Sequence, residues 1–324
     1  MMQLEACRDL DLFVVVFTND SLRNSNKFIF WKHKLFKLES SFLRRFFQVF
    51  NYLKKHKNSI HHVEVYPGGR YIYIYLLLIK YFKLKSICVE RGELIFWKNR
   101  NYIYKLLLKL VYKGTDIVWY RELYMEKILF TIGVKKMFYL HNCCNIPEIK
   151  STSAKSVDFL WVNRVTKERK AGWFLESMGA YKNTKNIIVG DIGNLLKIKH
   201  SHLKLINFKI FGYENPTPFY LKSKFFVLPS EVVYANNSLL EAMSFGLVPL
   251  VSKVLGSDQI VNHLENGYIF DHTLTGFQKA IKWAISLNDE MYSDLSRNAT
   301  NKIAKDFSYQ KWKDNYNELI LSFE

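Results

Sequence analysis

Residues 228–249 read LPSEVVYANNSLLEAMSFGLVP, and the order of residue types in this stretch decides the fold. The apolar run 225–228 closes on Pro229-Ser230, a turn signal. A polar stretch follows, in which Asn237 or Ser238 is fit to cap a helix over 238–244. A second apolar run occupies 248–251. Two short buried strands joined through a helix, with no hairpin turn between them, predict a parallel pair with a crossover connection.

The same alternation continues in both directions. Towards the N-terminus the sequence predicts strands at 157–162, 186–189 and 205–208, with helices at 172–181, 191–197 and 216–223. Towards the C-terminus it predicts helices at 257–265, 274–286, 290–305 and 308–322. A Ser-rich polar segment, NIPEIKSTSAKS at 145–156, reads as an interdomain linker. Before it lie strand candidates at 12–17, 62–66, 86–89, 117–120 and 137–140, with helices at 40–57, 71–83, 101–113 and 122–132. This pattern predicts an α/β chain of two Rossmann-like βαβ domains, with ligands beyond the carboxyl ends of the strands. The expected division is 1–150, 151–306 and a C-terminal helix at 307–324 that packs back toward the first domain.

With 324 residues, 49% hydrophobic and 23% charged, the chain is long enough for two cores and too apolar for a disordered protein. Cys7, Cys88, Cys143 and Cys144 form neither a CxxC pair nor a zinc spacing. They read as reduced thiols, which fits the cytosol. The N-terminus has no secretory pattern, and the longest apolar stretch, 71–79, is about half of the roughly 20 residues a spanning helix needs. The expected location is the cytoplasm, peripheral at the inner face of the plasma membrane.

The net charge of +18 is unevenly spread: residues 1–150 hold 26 Lys and Arg against 12 Asp and Glu, and residues 151–324 hold 21 against 17. The basic half is expected to meet something anionic. Helices 101–113 and 40–57 set Lys105, Lys109 and Lys113, and Arg44, Arg45, Lys54 and Lys55, among aromatic and aliphatic residues. That is the composition of a helix lying on anionic lipid, and equally of a packed helix showing Lys to water. No nucleic-acid module is recognisable, so specific nucleic-acid binding is not expected.

Three segments of the second half fall at predicted strand ends. In NRVTKERK, 163–170, Arg164 arrives at the end of a strand and Arg169 and Lys170 return a few residues later. Such cations suit a pyrophosphate, and a solvated basic loop is the alternative. In GYENPTPFY, 212–220, Gly212 permits a tight turn and Pro216 and Pro218 suit a helix entry, which by itself describes a loop. In the opening stretch, the start of the helix at Asn237 and Ser238 offers backbone N–H groups to phosphate oxygens, and Glu241 offers a carboxylate to a hydroxyl pair. The alternative for Glu241 is an acid favoured by the helix dipole.

Together these blocks closely resemble the donor-site signature of the family 4 (group 1) glycosyltransferases, as does GSDQIV…ENGY at 256–268. The four blocks stand in family order and cover about 157–272. The resemblance implies a GT-B architecture with the two domains facing across a cleft. It also implies transfer with retention from a nucleotide diphosphate-sugar, with no metal and no other cofactor. The acceptor it implies is a saccharide or polyprenyl-linked saccharide of lipopolysaccharide or another cell-surface polysaccharide, reached at an anionic membrane surface. Carried over residue by residue, Arg164, Arg169, Lys170 and Glu241 take the catalytic roles, the cations on the diphosphate and Glu241 on the ribose. Gly212, Tyr213, Glu231, Asn237, Ser238 and Leu239 line the donor.

Two departures stand out. The family has a second Glu eight residues before the one matched by Glu241, and here that position is Val233, with Glu231 two residues upstream as a substitute. Family members also begin with a strand and a Gly-rich loop, whereas this chain opens in helix-like sequence at 1–10. Its first domain is therefore expected to lack the first strand, either by nature or by truncation. These departures motivate a second reading, an impaired GT-B homologue that binds nucleotide or carbohydrate without turnover. On the acceptor side Glu90, Arg91 and Glu93 follow a strand, and the turn at 67–70 follows another; a structural salt bridge is the alternative for the charged group.

Overall fold

The computed structural model describes residues 14–18, 33–38, 41–67, 72–95, 97–148, 155–191, 207–233 and 236–323. The helices expected at 1–10 and 191–197 lie wholly or largely outside these residues, as do most of the turn at 67–70 and the middle of the 145–156 linker. The chain divides into two compact units, Met1–His141 with Trp312–Glu324, and Asn142–Lys311.

In the first unit, β1 (Val14–Thr18) pairs in parallel with β2 (His33–Lys37) as a two-stranded sheet. The sequence reading missed β2, whose HKLFK has polar residues at three of five positions, two of them Lys. Strands β3 (Val63–Val65), β4 (Ser86–Val89), β5 (Ile117–Tyr120) and β6 (Met137–Tyr139) form a parallel sheet in that order. Between them run α2 (Ile72–Tyr81), α3 (Tyr102–Gly114) and α4 (Leu123–Ile132), preceded by α1 (Phe42–His56). Every crossover steps the same way along the sheet, and right-handed crossovers of that kind set all three helices on one face. Accordingly Val65, Cys88, Val118 and Tyr120 share a core with Leu108, Val111, Met125 and Leu129. Trp119 points to the other face, against Trp312 and Tyr316 of α11 (Tyr309–Leu321).

The second unit carries six parallel strands in the order β12-β11-β10-β7-β8-β9. These are β7 (Val157–Val162), β8 (Asn186–Val189), β9 (Phe208–Phe211), β10 (Ser223–Leu228), β11 (Val248–Ser252) and β12 (Tyr268–Phe270). The helices are α5 (Ala171–Met178), α6 (Thr217–Lys222), α7 (Asn237–Ser244), α8 (Ser257–Ile260), α9 (Leu274–Ser286) and α10 (Asp289–Asp306). Side chains alternate across the sheet as a period of two requires. Phe159, Trp161, Phe225 and Val227 meet α5 and α9, while Leu160, Val162, Phe226 and Leu228 meet α7 and α10. Both faces are covered, which is why these strands read as unbroken apolar runs.

Beyond shifts of a few residues at several element ends, three features of the second unit differ from the sequence reading. The strand expected at 205–208 is Phe208–Phe211; Asn207 before it is tied to the turn between α5 and β8, donating from Nδ2 to the carbonyls of Met178 and Tyr181. The helix expected at 257–265 stops at Ile260, where Asn266 Oδ1 accepts the Asn262 N–H at 2.8 Å and folds the chain into a turn. That turn leads into β12, an edge strand of three residues that was not foreseen.

From β7 the chain proceeds to β8 on one side, and from β10 to β11 on the other, so the adjacent β7 and β10 form the switch point of the sheet. Gly190 lets the strand ends lie close together: a Cβ there would stand 2.2 Å from the Asn163 carbonyl oxygen. Because the obstruction is backbone, Gly190→Ala is expected to destabilise the chain by about 2–4 kcal/mol. Urea unfolding checks this, and a midpoint equal to wild type would show that the strand ends separate freely.

Candidate active site

At the end of β7, Asn163 donates its N–H to Val189 O at 3.2 Å, and its Oδ1 accepts the N–H of Arg164 at 2.9 Å. The Arg164 side chain is exposed and makes no hydrogen bond or ion pair among the described residues. Val165 returns to the core, and a short 3-10 turn, Lys167–Arg169, follows. Lys170, with φ of 55°, closes that turn in the left-handed region and starts α5.

The loop after β10 lies against this turn, as neighbouring parallel strands require, and four ties join them. Arg169 Nη1 donates to Ser230 Oγ at 3.0 Å and to Val232 O at 3.1 Å. The Glu231 N–H donates to Glu168 O at 2.9 Å, and Lys170 Nζ pairs with Glu231 Oε1 at 2.5 Å. Arg169 and Lys170 therefore part: Arg169 enters the switch point, and Lys170 turns toward the Trp173 ring and Glu231. Val233 is fully buried in the core with Leu228, Leu239 and Leu240, so its position presents no side chain to a ligand.

Helix α7 starts one residue earlier than expected. Its N-cap is Asn236, whose Oδ1 accepts the Leu239 N–H at 3.0 Å; Asn237 and Ser238 are its first two residues. Leu239, expected at the donor, has its side chain in the core and its N–H on the Asn236 cap. The first-turn N–H groups of Asn237 and Ser238 are left, as helix geometry dictates. Asn237 Oδ1 accepts from Asn142 Nδ2 at 2.8 Å.

Glu241 accepts a hydrogen bond from Tyr220 OH at 3.1 Å through Oε2. Burial raises the carboxyl above the usual range, and the Tyr220 hydroxyl opposes that shift. Tyr220 is itself buried, its phenol pushed far up by burial and by Glu241, and it stacks on Phe245 at 5.5 Å. The orienting partner of Glu241 thus comes from the end of the 212–220 segment, a role that sequence reading did not assign. Gly212 and Tyr213 follow the edge strand β9, two strands from β7 and so about 10 Å away. The fold does not bring them into the β7/β10 cluster.

Also unassigned from sequence is His272, just past β12. Its Nδ1 lies 3.0 Å from Ser252 Oγ and its ring 5.0 Å from that of Trp173. Burial and the charge of Lys170 lower its pKa, against the pull of Glu231. No spacing rule links a histidine 100 residues downstream to Lys170, so only the sheet order could reveal it. No group of three or more His, Cys, Asp or Glu able to hold a metal ion occurs among the described residues.

In the first unit the acceptor-side candidates Glu90 and Glu93 are hydrogen-bonded within their own neighbourhood. Glu90 is wholly buried: Oε1 accepts from Gly92 N at 2.5 Å and Leu94 N at 3.2 Å, and Oε2 from Tyr112 OH. Its oxygens are thereby committed to the loop and to Tyr112. Glu93 pairs with Arg100 at 3.1 Å and accepts from Tyr104 OH at 2.5 Å. Arg91 lies over the Tyr66 ring at 4.2 Å and is exposed. Cys88, Cys143 and Cys144 are buried free thiols.

Residues 145–302 match the family model described as glycosyl transferases group 1. Over 141 residues the chain is 29% identical to an Escherichia coli UDP-Gal:alpha-D-GlcNAc-diphosphoundecaprenol alpha-1,3-galactosyltransferase. That match covers 42% of this chain and only 36% of the relative. A solved glycosyltransferase from Rickettsia africae superposes on 99% of this chain and 94% of its own with a TM-score of 0.77, at 14% identity. Anabaena HepE, solved in complex with UDP and glucose, gives a TM-score of 0.77 over 99% of this chain and 95% of its own, at 11% identity.

Proposed function

We propose, from the match of residues 145–302 to the group 1 glycosyl transferases and the GT-B fold of the chain, that the protein transfers a sugar from a nucleotide diphosphate-sugar to a lipid-linked saccharide acceptor. The observation that supports the reading is the switch point of the second sheet, where Arg164 and Arg169 follow β7 and the first turn of α7 follows β10. Open α/β sheets bind ligands at this place. Arg164 and Arg169, with the N–H groups of Asn237 and Ser238, hold the diphosphate and stabilise its charge as the glycosidic bond breaks. Glu241, oriented by Tyr220, accepts from the ribose hydroxyls. Fixed cations supply the leaving-group stabilisation, so a metal is not needed for that role, and transfer with retention is what the resemblance to the group 1 glycosyltransferases implies. Gly212 and Tyr213 serve the outer end of the nucleotide.

The bound UDP and glucose of HepE and the UDP-galactose of the galactosyltransferase's name favour uridine as the base. The diphosphoundecaprenol in that same name favours a polyprenyl diphosphate-linked acceptor, and with it a cell-surface polysaccharide made at an anionic membrane surface on the cytoplasmic side. No described helix is long and apolar enough to cross a membrane.

Calorimetric titration of the chain with UDP and with GDP tests the donor site. UDP is expected to bind in the micromolar range, and Arg164→Ala to weaken it by about tenfold or more through loss of one charge-assisted contact. Equal failure of both nucleotides would remove the reading. One observation favours a second reading, a binder without turnover: Val233 is buried where a sugar-gripping acid belongs, and Glu231 is tied to Lys170. Tight UDP binding with no transfer from any UDP-sugar would select it.

A further inference from the structure

We infer that Lys155, just ahead of β7, is the positioning residue for Glu241 and so for recognition of the donor's ribose. This role rests on the donor-site reading above, to which it adds a residue from the segment that reads as a linker. The Lys155 side chain is half-buried, and its Nζ donates to two main-chain carbonyls, Tyr220 O at 3.3 Å and Phe245 O at 3.1 Å. These are its polar partners among the described residues, and no carboxylate pairs with it there. Covering an ammonium without an acid beside it is costly. Burial accordingly lowers the Lys155 pKa to about 8. A linker needs no such group, so its position points to what the two carbonyls hold.

Tyr220 lies in the last turn of α6, and Phe245 is the C-cap of α7. Carbonyls at a helix C-terminus lack intrahelical partners and carry partial negative charge. One ammonium therefore ties two helix ends together. Glu241 depends on both ends. The Phe245 N–H donates to Glu241 O at 3.2 Å, and Tyr220 OH donates to Glu241 Oε2 at 3.1 Å. The Tyr220 and Phe245 rings stack at 5.5 Å and 27°. Tyr220 and Phe245 are thus joined twice, through their rings and through Lys155 on their backbones. Helix α6 has only six residues, too few to fix its own end without tertiary contacts. If that end shifts, the Tyr220 hydroxyl leaves Glu241, and the carboxylate loses the partner that aims it. A lysine that only capped the two helices would add stability and leave ribose recognition alone.

Calorimetric titration of the full chain with UDP and with 2′-deoxy-UDP tests this role. Wild type is expected to prefer UDP by about tenfold or more, because the deoxy sugar lacks a hydroxyl for the carboxylate. Lys155→Met is expected to cut that preference to about twofold or less, by weakening UDP and leaving 2′-deoxy-UDP nearly unchanged. Lys155→Arg keeps the charge and can donate to both carbonyls, so it is expected to restore the preference. Should the methionine variant not fold, Lys155→Gln, which also lacks the charge, takes its place with the same expected result. A preference of wild-type size in the uncharged variant, or equal weakening of both nucleotides, would overturn the role and leave the donor site standing. A wild-type chain that binds both nucleotides equally well has no Glu241 contact to the ribose, and Lys155 then has nothing to position. Binding of neither nucleotide by wild type would remove the donor-site reading itself, and this role with it.

Discussion

Arg169→Ala is expected to reduce transfer from a UDP-sugar by about 100- to 1000-fold, the range found when a fixed donor to a developing negative charge is removed. Two losses combine. In the proposed reaction the guanidinium holds the leaving diphosphate, and in the structure it joins the two loops of the switch point through Ser230 Oγ and Val232 O. Arg169→Lys separates them: it keeps the charge but on a compact ammonium without the planar guanidinium's additional donors, so it is expected to recover UDP affinity more than turnover. The measurement is initial rate beside UDP dissociation constant for both variants. If alanine leaves the rate within a factor of a few, Arg169 only pins the loop and Arg164 carries the diphosphate.

Glu90→Leu is expected to be the most damaging single change to stability, by about 3–5 kcal/mol, because it strands several buried donors at once. The N–H groups of Gly92 and Leu94 and the hydroxyl of Tyr112 all end on this carboxylate. Glu90→Gln keeps an acceptor for the two N–H groups and is expected to lose about 1 kcal/mol. Urea midpoints measure both, and a leucine variant as stable as the glutamine one would show that water reaches the loop. Burial raises the Glu90 carboxyl above its usual value, which sets the sign of a pH dependence. A raised folded pKa means that the native state binds more protons, so this group's contribution is full below the unfolded pKa. It is lost as pH rises through the higher folded value. Wild-type chain should therefore lose stability across that interval relative to Glu90→Gln, which cannot titrate.

The strands at 86–89, 117–120, 157–162 and 186–189 were legible to the residue. Each is a short apolar run covered on both faces, and burial of that kind leaves its mark on every position. Strands β2 and β12 were not legible. One pairs only in a two-stranded sheet and is rich in charge, and the other is a three-residue edge, so neither needs a continuous apolar run. Helix α7 was legible because its apolar residues and polar start follow one pattern. Its cap was misplaced by one residue because Asn236, Asn237 and Ser238 are all competent caps, and in the fold it is Asn236 that accepts the Leu239 N–H.

By itself the sequence determined an α/β chain with two parallel-sheet units, the run of motifs at strand ends in its second half, and a strongly basic first half. Those features are local, written in residue periodicity and composition. What each side chain does was decided by tertiary structure, because it depends on neighbours far along the chain. Arg169 and Lys170 are adjacent in sequence, but the loop after β10 draws one into the switch point and the other onto Glu231. Val233 is a visible departure from a motif in the sequence, and only packing shows that it is a core residue. Glu90 stands at a strand end as a ligand would, yet the fold closes over it and spends both oxygens on its own loop and on Tyr112. Burial and hydrogen-bond partnership are properties of the assembled sheet, and a one-dimensional pattern has no means of recording them.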